Sequence, residues 1–294
     1  MKYKIVICIL SSILLLLVLR LYFNSNNQIK ETNVDLCKVF WSPDESLLKS
    51  VIAENEITEE TAWKERQNKY MKLFPDMYVE TINPVIQIEK RKIAYISFDD
   101  GPSSITPKIL DSLKKYDVRA TFFIIAGDMN EDGIACLKRI VDEGHVIGIH
   151  TYSHEYKDIY ASVEAYLEDF YKVYQKIYEV TGLKVNIFRF PWGSSNPYNK
   201  KINKELKAEM ERRGFSFYDW NVSAEDSIGN PSQTKIKKNI IKDLEKFNYP
   251  IILMHDSIRN SNTAKVLPEI LKIIKDKGYG FDTLDNREPY HSNY

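Results

Sequence analysis

The stretch YISFDDGPSS, residues 95 to 104, decides how the rest of the chain is read. An apolar run ends there in two adjacent carboxylates, Asp99 and Asp100, followed by a glycine and a proline. Neighbouring carboxylates make each other harder to ionise, so a buried strand that ends on such a pair needs a reason. Either the pair caps a helix or sits in a solvated turn, or it belongs to a charged site. Downstream, runs rich in β-branched and aromatic residues recur: IAYISF (93–98), RATFFII (119–125), VIGIH (146–150), NIFRF (186–190), FSFYDW (215–220), IILMH (251–255) and YGFDTL (279–284). Longer stretches with helical spacing lie between them. Thr106 followed by Pro107 reads as an N-cap and a first-turn proline, and KINKELKAEMERRG stops on a glycine. Such alternation predicts an α/β fold, as a barrel or an open sheet; we expect a distorted (β/α) barrel of about seven strands, in which chemistry collects where strands end.

That expectation sorts the polar residues. Asp99 and Asp100 follow the first strand, His150 ends the third and leads through HTYSH to His154, and Arg189 and Trp192 lie in RFPWG after the fourth. Trp220 ends the fifth, and His255 with Asp256 ends the sixth. All therefore fall at one rim. Two histidines four apart can be a satisfied polar pair, or can converge on one metal. A carboxylate from another strand end completes two His and one Asp, the three-ligand pattern of a catalytic rather than a structural zinc site. If Asp100 holds a cation, the repulsion within the pair is offset and Asp99 stays ionised as a base. Arg189 is the guanidinium that could orient it. His145 and His291 read as packing or peripheral residues, and the aromatic series Phe170, Tyr171, Tyr174 and Tyr178 reads as helix packing.

Lysine plus arginine equal aspartate plus glutamate, 41 of each, so no basic excess argues for nucleic acid. The start, MKYKIVICILSSILLLLVLRLYF, sets two lysines before an apolar stretch from Ile5 to Leu19. That pattern predicts a cytoplasmic start and uncleaved signal anchor over 1–23, making a single-pass membrane protein with everything after Phe23 outside the cell. Residues 24–90 read as a stalk and linker, polar at first and helical through TEETAWKERQNKYMKLF, before a domain over 91–294. Cysteines at 8, 37 and 136 are too scattered for a disulfide framework, although Cys37 and Cys136 could pair outside the cell.

The motifs SFDDG, HTYSH, RFPWG, YDWNVSAED and ILMHD, in that order over residues 91 to 285, resemble those of the polysaccharide deacetylases with a NodB-homology domain, carbohydrate esterase family four. The resemblance implies hydrolysis of an N-acetyl group from an amino sugar. It casts Asp99 as general base and Asp100, His150 and His154 as ligands of Zn2+ or another divalent cation such as Co2+. Arg189 would orient the base, the backbone N–H of Trp192 would help hold the oxyanion, and His255 would be the general acid. Leu253 and Trp220 match apolar walls for the acetyl methyl. Ser97 stands where many relatives carry threonine. In the fourth motif Ser223 stands where many have an aspartate, which leaves Glu225 and Asp226 as acidic partners for His255; Asp226 is our choice. With the anchor, the resemblance points to N-acetylglucosamine in cell-wall glycan, peptidoglycan first, with no required protein partner. The alternatives are chitin-like or poly-N-acetylglucosamine oligomers, or a wall-glycan-binding protein that has lost activity.

Overall fold

The computed structural model describes residues 45–81, 92–127 and 129–291. The chain divides into two compact units, Met1–Glu65 and Arg66–Tyr294. The apolar stretch Ile5 to Leu19, the polar tether and Cys37 lie outside the described residues. Among the described residues no helix is long and apolar enough to cross a membrane.

The second unit is built on a parallel sheet of β1 (Lys92–Gly101), β2 (Thr121–Ile125), β3 (Val146–Thr151), β4 (Ile187–Phe188), β5 (Ser216–Phe217), β6 (Val222–Ser223), β7 (Ile251–His255) and β8 (Tyr279–Asp282). Seven strands run in the order β5-β4-β3-β2-β1-β7-β6, and β8 pairs with the first half of β1. The sheet curls into a half-barrel whose edges, β5 and β6, do not pair with each other, so the expected barrel is open. Strands covered on both faces read as continuous apolar runs rather than alternating ones. This is why Ala94 to Phe98, Thr121 to Ile124 and Ile251 to Met254 are buried without a break. Among the described residues eight strands form where the sequence suggests seven. The extra one, β6, is two residues long, and β4 and β5 shrink to two residues each.

The helices are α1 (Glu45–Lys72), α2 (Thr106–Tyr116), α3 (Glu131–Asp142), α4 (Tyr156–Ile159), α5 (Val163–Thr181), α6 (Asn203–Arg212), α7 (Gln233–Leu244) and α8 (Ser261–Asp276). Side-chain caps from Asn130, Ser162 and Ser232 start α3, α5 and α7, each satisfying a backbone N–H that has no partner within its helix. Thr106 is not the cap expected of it: Ile105 holds that position, and Thr106 lies inside the first turn. On α5, Phe170 and Tyr174 pack edge-on against Phe215, whereas Tyr171 turns away to stack on Phe74 and Tyr178 is exposed. His145 accepts a hydrogen bond from the Ala120 N–H, and His291 stacks on Phe217. Cys136 is a buried free thiol.

The end of α1 belongs to the second unit. Arg213, fully buried, pairs with Glu209 and donates to the carbonyls of Tyr70, Leu73, Phe74 and Met77 at 2.7 to 3.2 Å. The last carbonyls of a helix have no partners inside it, and one guanidinium serves that of Tyr70 together with three carbonyls just past the helix end. Gly214 follows at φ +87°, where a Cβ would fall 2.0 Å from the carbonyl oxygen of Val79. Only glycine fits this crossing.

Candidate active site

Asp99 and His255 are cross-strand partners in the β1–β7 register, and Phe123 of β2 faces Asp99 on the other side. A regular strand would send Asp99 and Asp100 to opposite faces. Instead the β1–β2 register shifts between Asp99 and Gly101, and Asp100 takes φ +71°. The irregularity re-aims Asp100, as bulges do, and brings its Oδ1 3.4 Å from His150 Nε2 and 3.6 Å from His154 Nε2. Gly101 completes the motif because a Cβ there would lie 2.1 Å from the Asp256 carboxyl.

One ligand atom from each of Asp100, His150 and His154 lies within 4.8 Å of the others. His150 Nδ1 sits 2.8 Å from the Arg189 carbonyl, which can only accept, so Nδ1 carries the proton and Nε2 faces Asp100 with its lone pair. His154 ends its turn at φ +56°. Burial and the neighbouring charge of His150 hold its pKa down at about 4, leaving the imidazole neutral at physiological pH. Burial opposes ionisation of Asp100, yet the imidazoles of His150, His255 and His154 around it hold its carboxyl below the ordinary range. Its Oδ1 is buried with no hydrogen-bond donor. An anionic oxygen without a donor, faced by two imidazole nitrogens, suits a divalent cation, and the donor set is that of a site with room for water. The HTYSH turn is fixed from α5: the Asp169 carboxylate accepts from Thr151 Oγ1, the Tyr152 and Ser153 N–H groups and Ser153 Oγ at 2.5 to 2.9 Å.

Asp99 is buried and accepts from Arg189 Nη1 at 2.7 Å. Arg189, with no exposed surface, also donates to Ser97 Oγ at 2.9 Å and the Tyr218 carbonyl at 2.8 Å, and its guanidinium lies over the Phe123 ring. Ser97, the residue standing in for threonine, thus supplies the hydroxyl that steadies Arg189. His255 Nδ1 lies 2.8 Å from Asp226 Oδ1, while Asp226 Oδ2 accepts from the His255 N–H and Thr263 Oγ1. Burial alone would lower the pKa of His255; the Asp226 carboxylate, helped by Asp99 and Asp100, instead lifts it to about 9. Glu225, the other acidic candidate, hydrogen-bonds to Asn239. Asp256 is buried, accepts from Thr106 Oγ1 at 2.7 Å and ties β7 to β1 through its N–H and the Asp99 carbonyl. Burial, with Asp100 and Asp99 nearby, raises its carboxyl to about 7.

Trp192 takes φ +62° and stands 40% exposed, its ring 4.5 Å from that of His154. Trp220 lies beneath Gly193, and Leu253 is buried on β7 opposite Ser97 and Ser223. The structure therefore gathers the sequence candidates at one rim: Asp99 and Arg189 in one contact, Asp100, His150 and His154 in a second, His255 and Asp226 in a third.

A family model described as polysaccharide deacetylase matches residues 87–211. The chain is 30% identical over 293 residues to YheN of Bacillus subtilis, which bears a polysaccharide deacetylase name, covering 97% of this chain and 92% of that one. This chain belongs to the polysaccharide deacetylase family. The family is grouped as carbohydrate esterase family four, and this chain is a hydrolase acting on N-acetyl amide groups. A peptidoglycan-N-acetylglucosamine deacetylase of Bacillus cereus is 31% identical over 211 residues, covering 70% of this chain and 74% of that one. Among solved structures, the catalytic domain of the peptidoglycan N-acetylglucosamine deacetylase of Eubacterium rectale superposes with a TM-score of 0.65 at 32% identity, over 75% of this chain and 99% of that chain.

Several residues of the deacetylase site carry no local signal in the sequence. Asp169 sits in a helix, and Thr263 and Asn260 hold Asp226 from near the start of α8. Asp219 accepts from the Ser194 N–H and Oγ at 2.8 and 2.6 Å, fixing the loop that carries Trp192. Each reaches its partner across the fold.

Proposed function

We propose that this deacetylase removes acetyl groups from N-acetylglucosamine residues of peptidoglycan, in a reaction that depends on a divalent cation, Zn2+ or Co2+, held by Asp100, His150 and His154. The observation that carries this reading is the placing of Asp99 and His255 side by side in the β1–β7 register, next to that cluster. When bound, the cation would polarise the acetyl carbonyl and ease deprotonation of water. Asp99, oriented by Arg189, takes a proton from the attacking water. The Trp192 N–H stabilises the negative charge that develops on the carbonyl oxygen. His255, protonated at neutral pH through Asp226, gives its proton to the departing sugar nitrogen, without which an amine leaves poorly. Trp220 and Leu253 border the acetyl methyl.

The apolar run Ile5 to Leu19 behind two lysines supports a single-pass anchor that keeps the catalytic unit on the outer face of the membrane, beside the wall. The test is acetate release by the full-length chain from N-acetylated muropeptides and from chitooligosaccharides, with and without a chelator. Activity on muropeptides that a chelator removes and that His255→Ala abolishes is expected. A His255→Ala variant releasing acetate at the parent rate would overturn the assignment.

A further inference from the structure

Asp256 closes the ILMHD motif and takes no part in the proton transfers assigned to Asp99 and His255. It is 1% exposed, and among the described residues only one of its carboxyl oxygens meets a donor: Oδ2 accepts from Thr106 Oγ1 at 2.7 Å, whereas Oδ1 has none. Burying a carboxyl served by a single donor works against folding, so stability alone does not account for it.

Its contacts surround one residue of the site. The Asp256 N–H donates to the Asp99 carbonyl at 3.1 Å, and the Asp256 carbonyl accepts from Ser103 Oγ at 2.5 Å. Its carboxyl fills the space that a side chain at 101 would need, with Oδ2 2.1 Å from where that Cβ would stand. Residues 99, 101 and 103 are thus all held by Asp256, on both sides of Asp100. Asp100 itself takes φ +71°, a conformation that a residue with a side chain keeps only where its surroundings fix it. In that conformation its Oδ1 lies 3.4 Å and 3.6 Å from the Nε2 atoms of His150 and His154.

Thr106 braces the carboxyl. It is fully buried, and its Oγ1 accepts from the Ser103 N–H at 2.8 Å while donating to Asp256. The hydroxyl that the sequence offers as a cap for α2 therefore lies between the turn and the carboxyl. The helix starts at Ile105 with no side-chain cap, although a capping hydroxyl would have stabilised it.

We propose that Asp256 is a positioning residue: with Thr106 it clamps the turn 99–103 so that Asp100 faces the two imidazoles, and it thereby sets how tightly the site holds a divalent cation without touching cation or substrate. This rests on the cation reading of Asp100, His150 and His154 above. The test is the Zn2+ affinity of the full-length chain, titrated against a competing chelator at a temperature where circular dichroism shows each variant folded. Asp256→Ala and Thr106→Val, which remove the contact, should bind Zn2+ about 10- to 100-fold more weakly than wild type, the range for losing an outer support of a metal ligand. Asp256→Asn, which can still accept from Thr106, and Thr106→Ser, which keeps the hydroxyl, should bind close to wild type. A merely structural role would lower the melting temperature and leave the affinity of the folded chain alone. Wild-type affinity in folded Asp256→Ala and Thr106→Val overturns the proposal. If Asp256→Ala does not fold, the Thr106 pair decides: a loss in Thr106→Val that Thr106→Ser restores upholds the clamp, and wild-type affinity in Thr106→Val overturns it. A wild type that takes up no Zn2+ overturns the cation reading and the positioning role with it, whereas a wild type that binds alongside unaffected variants overturns the positioning role alone.

Discussion

The contact between His255 and Asp226 makes a quantitative prediction. Replacing Asp226 by Asn keeps the shape and removes the charge 2.8 Å from Nδ1. The structure lifts the pKa of His255 from the ordinary 6.5 to about 9, and at about 1.4 kcal/mol per pKa unit this is roughly 3 kcal/mol favouring the imidazolium. A raised pKa means that the acid form is present below about 9 and lost as pH climbs through it, so wild-type kcat/KM should hold across neutrality and fall on an alkaline limb near 9. Asp226 is the leading cause that raises the pKa, and burial opposes it, so in Asp226→Asn the limb should drop to 6.5 or lower. Taking 6.5, the protonated fraction falls by about 1.3-fold at pH 6 but by about 75-fold at pH 8.5 relative to wild type. The assay is kcat/KM for acetate release from pH 5 to 10. The reasoning is refuted if the variant's alkaline limb superposes on that of wild type, or if the loss is the same at pH 6 and pH 8.5, which would mark a purely structural effect.

Other expectations follow from neighbouring contacts. Arg189→Ala leaves the buried Asp99 charge unpaired, and denaturant unfolding should show a loss of about 3–5 kcal/mol together with activity. Asp169→Ala releases the HTYSH turn, and Zn2+ titration should show affinity weakened by about 10- to 100-fold, the range for losing an outer support of a metal ligand. Saturating the chain with Zn2+ at about 100 times its Kd should stabilise it by about 2.7 kcal/mol, and His150→Ala should abolish that gain in thermal unfolding. A chain starting at residue 91 lacks the four carbonyls that Arg213 serves; at about 1–3 kcal/mol for a buried group left unmade, it should melt well below one starting at residue 66.

What could be read from sequence follows the range over which each residue acts. Ile93 to Phe98 and Ile251 to Met254 announce themselves because central parallel strands are covered on both faces, and their ends carry the charged residues at fixed offsets. β6 gives no such signal: Val222 and Ser223 form a strand only because β7 offers them partners. The opening question has a geometric answer of the same kind. Asp99 and Asp100 are adjacent in the chain, yet the irregularity at Asp100 gives them separate partners, Arg189 for one and the two imidazoles for the other. The sequence shows the pair, but the φ of +71° at Asp100 appears only in the fold, next to a Gly101 whose place leaves no room for a Cβ against Asp256, 155 positions away in the chain. Arg213, Asp169 and Asp219 belong to the same class, since a lone charge in a helix or after a strand looks solvated until the fold brings carbonyls or N–H groups to it. The residues proposed for the chemistry are therefore legible as motifs. Those that hold the motifs in place are set by contacts that no local pattern encodes, and for that reason the variants at Asp169 and Asp226 test the structure more severely than removal of a motif residue does.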